Sequence, residues 1–151
     1  MRLSICGWFY VFILVSSPFA AHSADVITRC GESDGYTYYV EGGAVQKNQS
    51  DWRADKISGS SLLVREGDKY DIIFTDSAKR TISSTEDGAR IVPISLPPEP
   101  LVLLVIYPRT LAETWVFDID SSGRGFVTFH QARYGAVLIK KHSVMRAECS
   151  K

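Results

Sequence analysis

Three carboxylates stand inside stretches whose pattern reads as β-strand: Asp71, Glu113 and Asp118. Paired across a cleft, two such groups could serve as the acid and base of a hydrolase. On an antiparallel strand the same residue types more commonly form the wet face. After residue 23 the chain carries two histidines, His130 and His142, both in predicted strands. His130 beside a serine could form a nucleophilic dyad, but there is no Gly-x-Ser-x-Gly elbow to present the serine. Two histidines on separate strands need further converging ligands to hold zinc, so no metal and no cofactor are expected. The run from Asp118 to Gly123 resembles the opening of a calcium loop. It fails at the eighth position, Gly125, and at the twelfth, where Phe129 stands in place of a bidentate glutamate, so it reads as a hairpin turn.

Aromatic side chains are more suggestive than any of these motifs. Tyr36 and Tyr38 alternate with Tyr39 along one strand-like run, so they point to the face opposite Tyr39. Trp52 stands alone in polar surroundings. Small β domains use aromatics chiefly to fill the core. A tyrosine run that must expose at least one ring, with a tryptophan nearby, still makes Trp52, Tyr36, Tyr38 and Tyr39 the candidate ligand-binding residues.

The elements that must position these groups begin after a distinct leader. Arg2 is followed by an apolar core from Ile5 to Val15, then Pro18 and the small residues Ala20, Ala21 and Ser23. That is the three-part pattern of a secretory signal peptide over residues 1–23, cleaved near Ser23/Ala24, with an uncleaved anchor as the competing reading. Of the three cysteines, Cys6 lies within this leader, leaving Cys30 and Cys149 near the two ends of the domain. In an oxidising compartment that pair reads as one disulfide fastening the first strand to the last. Asn48-Gln49-Ser50 fits a glycosylation acceptor, relevant only in a eukaryotic host.

Removing the leader takes away Arg2 alone, leaving 16 basic against 17 acidic residues. A net charge near −1 with scattered basic residues excludes nucleic acid as an obvious partner. Residues 24–151 are long enough for one domain with a real core.

Within that domain no stretch holds a sustained helical period; short alternating runs are separated by turn residues. Strands are expected at 26–30, 36–40, 61–65, 69–75, 80–84, 89–94, 101–107, 113–119, 125–131 and 137–147, with a turn at 31–35. Ser50 and Asp51 look like an N-cap and first-turn acid, so at most one short helix is expected near residues 51–57. Leu101–Tyr107, aliphatic and bounded by prolines, reads as a strand covered on both faces and as the start of a C-terminal meander. The fold class is all-β, an antiparallel barrel or two-sheet sandwich of about 8–10 short strands.

The segment from Val105 through Pro108 to Phe117, with the ending Lys141–Cys149, is similar to small exported bacterial proteins of unassigned function. That resemblance covers about a third of the chain and implies a location in the bacterial envelope, periplasmic or secreted, without implying an activity. The functional expectation is an exported, non-enzymatic, monomeric β domain binding a small apolar ligand or an envelope protein, with no membrane span after cleavage. The alternatives are a hydrolase using the strand carboxylates or His130, and a structural envelope component.

Overall fold

The computed structural model describes residues 24–151, so the leader and its cleavage site lie outside the described residues. The chain is all-β and its strands pair antiparallel throughout. They are β1 (Asp25–Tyr39), β2 (Trp52–Ile57), β3 (Gly59–Glu66), β4 (Lys69–Asp76), β5 (Thr81–Ser83), β6 (Arg90–Ser95), β7 (Leu101–Tyr107), β8 (Leu111–Ile119), β9 (Gly125–Arg133) and β10 (Lys141–Ser150). Nine of them form one curled sheet in the order β5-β4-β3-β1-β10-β9-β8-β7-β6, with β2 attached to β1 off this path. The sheet is a half-barrel. Its terminal strands β5 and β6 are joined by a turn in which the Ala89 N–H donates to the Ser84 carbonyl at 2.8 Å. The expected choice between barrel and sandwich therefore falls on the barrel side, with one layer of sheet wrapped around one core.

The spine is β1. One edge of it pairs with β10, while the other takes β3 along its first half and β2 along its second. The turn expected at 31–35 is absent, because β1 runs straight through it with a register shift between Cys30 and Ser33. Gly35, which suggested a turn, serves close approach. A Cβ there would fall inside contact distance of the Val144 carbonyl and the Met145 backbone on β10. Gly35→Ala is expected to push β10 away and cost about 1–3 kcal/mol, read as a lowered urea midpoint with an unchanged slope.

The helix expected near 51–57 is replaced by β2. Ser50 does not cap anything there, since its hydroxyl donates to the Tyr39 carbonyl at 2.9 Å. Residues 52–57 instead pair with Ser33–Tyr38, where an exposed strand edge outweighs the weak helical propensity of so short a run. The one helical turn moves upstream, to a 3-10 turn at Lys47–Gln49.

The meander β7-β8-β9-β10 follows the expected order. Leu101, Leu103 and Val105 are buried on its concave face, but Val102, Leu104 and Ile106 on the convex face are only half-buried. A single-layer sheet has no second sheet to cover that side, so the expectation of two covered faces fails. Edge strand β6 carries Pro93, which removes a donor from the exposed ladder. Leu63, Ile72, Phe117, Val127 and Met145 join the buried β7 residues in the core. At one end of that core Cys30 and Cys149, directly opposed on β1 and β10, form the disulfide, with Cα atoms 4.0 Å apart and a sequence separation of 119.

Candidate ligand site inside the half-barrel

The register stacks inward-facing side chains in rows across the concave face. One row is apolar: Met145 on β10, Phe129 on β9, Trp115 on β8 and Leu103 on β7. The row above it is polar, with Thr37, Ser143, Gln131 and Glu113 on adjacent strands, all of them buried. The next row forms a rim of Tyr39, Lys141, Arg133, Leu111 and Tyr107. A belt of hydrogen-bonding groups thus lies between a hydrophobic floor and a partly charged mouth.

Opposite this wall stand Ile57, Ile72, Phe74 and Ile82 from β2, β4 and β5. Between the two walls is a cavity of about 480 Å³. That volume lies within the range of small-molecule sites, and the walls mix apolar side chains with polar ones.

The polar belt centres on Glu113. Trp115 Nε1 donates to its Oε2 at 2.8 Å and Gln131 Nε2 donates to its Oε1 at 2.7 Å. Burial pushes the Glu113 carboxyl above its ordinary value of 4.5; the bonds from Gln131 and Trp115 and the charge of Arg133 offset this only in part. Gln131 Oε1 is buried with no hydrogen-bond partner. The indole of Trp115 stacks on Phe129, with centroids 4.2 Å apart and planes 12° from parallel, so the donor to Glu113 is held by packing.

Beside this centre is a second cluster. Asp55 Oδ2 accepts from Thr37 Oγ1 at 2.9 Å, Tyr39 OH at 3.1 Å and Lys141 Nζ at 3.3 Å. Burial alone would raise the Asp55 carboxyl, but the Thr37 bond, the Lys141 charge and the Lys56 and Tyr39 bonds together hold it below its usual range. Because Thr37 donates its only hydroxyl hydrogen to Asp55, the 2.8 Å contact between Thr37 and Ser143 must have Ser143 as donor.

The four aromatics singled out in the sequence do not line this cavity. Tyr36 and Trp52 are 63% and 55% exposed on the outer face, where Trp52 forms a tilted pair with Tyr38 at 5.6 Å. Tyr39 belongs to the rim row, its ring covered by the Arg53 guanidinium at 4.6 Å. The three carboxylates do not converge either. Asp71 accepts from the Ser83 and Thr85 hydroxyls, and Asp118 is exposed, as is His130 on the outer face. Only Glu113 reaches the cavity, and it does so as a buried group where a solvent-facing one was the commoner expectation. Asp120 serves a hairpin turn, its Oδ1 accepting from the Ser122 and Arg124 backbone N–H groups, and Asp76 makes the matching contact to Arg80. Among the described residues no group of three or more His, Cys, Asp or Glu could hold a metal ion.

The raised carboxyl of Glu113 has a measurable consequence. An unfolded chain loses this proton near the ordinary carboxylate value, whereas the folded protein loses it only at higher pH. The contribution of Glu113 to stability is therefore full below that range and falls as pH rises through the folded value. Glu113→Gln keeps an acceptor for Trp115 and offers Gln131 an amide partner without the charge. It is expected to match the parent protein at acid pH and to exceed its stability by on the order of 1 kcal/mol at neutral pH, as read from urea midpoints across the range.

Comparison with protein-family models, curated proteins and solved structures finds no match to this chain. The site is accordingly read from its own geometry.

Proposed function

We propose that this domain is an exported, non-enzymatic binding protein that holds a small, largely apolar ligand inside its half-barrel. The observation that carries this reading is the cavity of about 480 Å³, walled by Trp115, Phe129, Ile57, Ile72 and Phe74, with the buried Glu113 and Gln131 side chains on the same wall. A catalytic reading asks for two or more reactive groups around one point. Of the two carboxylates that line the cavity, Asp87 is exposed and Glu113 is buried and already fixed by two donors.

Export is supported by the leader pattern in residues 1–23 and by the Cys30–Cys149 bond, which suits an oxidising compartment. Among the described residues no helix is long and apolar enough to cross a membrane. A small ligand is favoured over a partner protein because the apolar surface with polar groups at its centre is concave. The convex face carries apolar side chains as well, Val102 beside Val116 and Leu104 beside Val92, but on an open, outward-facing sheet.

Native mass spectrometry of the protein purified from its own host tests this reading. The expected spectrum shows a chain beginning near Ala24, two hydrogens lighter than its sequence, with an additional small-molecule mass that leaves on activation. A bare chain across gentle preparations overturns the ligand reading. A chain retaining residues 1–23 overturns the cleaved-export reading.

A further inference from the structure

Hydrogen-bonding capacity around Glu113 is unevenly distributed. Each Glu113 oxygen takes one donor, from Gln131 or from Trp115, and one of the two Gln131 amide N–H groups is committed to that contact. Gln131 is 8% exposed and its Oε1 has no partner. The neighbouring hydroxyls supply nothing in return, since Ser143 donates to Thr37 and Thr37 donates to Asp55. Beside the cavity that Gln131 and Glu113 line, the belt thus holds acceptors without donors: an amide oxygen with no partner and the remaining lone pairs of a carboxylate.

Charge is uneven in the same sense. Glu113 forms no ion pair among the described residues. Lys141 at the rim is committed to Asp55 at 3.3 Å. Arg133 stands in the rim row, one row above Gln131, and likewise forms no ion pair among the described residues. The buried charge on the cavity wall is therefore the anionic Glu113, and the nearest free cation, Arg133, is at the mouth.

We propose that the ligand carries a protonated amine, seated on the Glu113 carboxylate and the free Gln131 oxygen, with its apolar body against the Trp115 and Phe129 wall. This rests on the reading of the cavity as a ligand site and adds the chemistry of the head group. An ammonium offers three donors and one positive charge, matching a carboxylate and an amide oxygen that lack them. A hydroxyl could satisfy Gln131 but would leave the carboxylate charge unpaired. A carboxylate head would be repelled by Glu113 at depth, and the nearest free cation to hold it is Arg133 at the rim.

The test uses four probes with closely similar aromatic bodies: phenethylamine, phenethyl alcohol, ethylbenzene and hydrocinnamate. Binding to the full domain is followed in a Trp52→Phe background, where Trp115 is the only tryptophan in residues 24–151. Phenethylamine is expected to bind about tenfold or more tightly than ethylbenzene, with the alcohol between them and hydrocinnamate weakest. Glu113→Gln should bring the amine-to-ethylbenzene ratio to within about threefold, and Gln131→Met should lower it by about fivefold. Either variant alone suffices if the other does not fold. Ethylbenzene or hydrocinnamate binding as tightly as the amine, or a ratio unmoved by either variant, overturns the amine assignment and leaves the cavity as a ligand site. If none of the four changes Trp115 emission, both the assignment and the cavity reading fall.

Discussion

Replacing Cys30 and Cys149 together by alanine is expected to cost the domain about 4–5 kcal/mol, the chain-entropy value for a closed loop of this length. A small domain has only about 5–15 kcal/mol of stability in total, so the double variant should be marginal or unfolded at room temperature. The expectation is large because of where the bond sits. β1 pairs with β10 on one edge and with β2 and β3 on the other, so it joins the N-terminal hairpin group to the C-terminal meander. Without the bond, that junction depends on closing almost the whole chain through backbone pairing alone. Urea unfolding of the oxidised parent and the double variant measures the difference. A loss below about 1 kcal/mol would mean that the unfolded chain is already compact enough to make the tether redundant.

Phe117→Ala is expected to cost about 3–5 kcal/mol. Phe117 is 2% exposed, aligned across the sheet with Leu101 on β7 and Val127 on β9, and stacked on Trp115 with centroids 6.0 Å apart. Strands on both sides limit how far the backbone can collapse into the space, which places the cost near the upper part of the range. The effect should reach the site, since Trp115 would lose one of its two aromatic neighbours while its Nε1 still donates to Glu113. In a Trp52→Phe background the Trp115 emission should shift to longer wavelength, alongside a lowered denaturation midpoint. A stability within about 1 kcal/mol of the parent would show that the layer beneath the cavity floor repacks freely.

Much of the architecture was legible from local pattern. Leu101–Tyr107 has the bounds read from the sequence, the strands expected at 61–65 and 69–75 do form a hairpin, although Glu66 pairs with Lys69 and leaves Gly67 and Asp68 as a two-residue turn, and the two cysteines pointed to their bond. These features depend on short-range signals: a proline-bounded apolar run, a glycine between two strand-like runs, an even cysteine pair. Residues 31–35 and 51–57 were misread because their conformation is set by a partner far away in the sequence. Gly35 is needed for β10 to approach, and residues 52–57 extend because the edge of β1 needs pairing.

The site was harder to read for a different reason. An inward polar residue and a solvent-facing one look alike in a single strand. Glu113 resembled part of a wet face, although the period-two spacing that places Trp115 and Phe117 inward also places Glu113 there. The same rule applied to Val127 and Phe129 leads to Gln131 and Arg133. The exposed aromatics Tyr36 and Trp52 drew attention through their residue type, whereas the cavity gathers its groups by row across four strands. Its charge also has a cost, since the substitution expected to stabilise the domain, Glu113→Gln, is the one expected to abolish selectivity for an amine.

The most direct test of the half-barrel as a ligand site is a nitrogen-proton correlation spectrum of the labelled domain, titrated with a small-molecule extract of its host's envelope. The domain has two indole signals, from Trp52 on the outer face and from Trp115 on the cavity wall, and Trp52→Phe assigns them. The account predicts that the Trp115 indole and the Gln131 side-chain amide move together while the Trp52 indole stays in place. Movement of Trp52 alone, with Trp115 and Gln131 unchanged, would contradict it and would return the binding surface to the outer aromatic face.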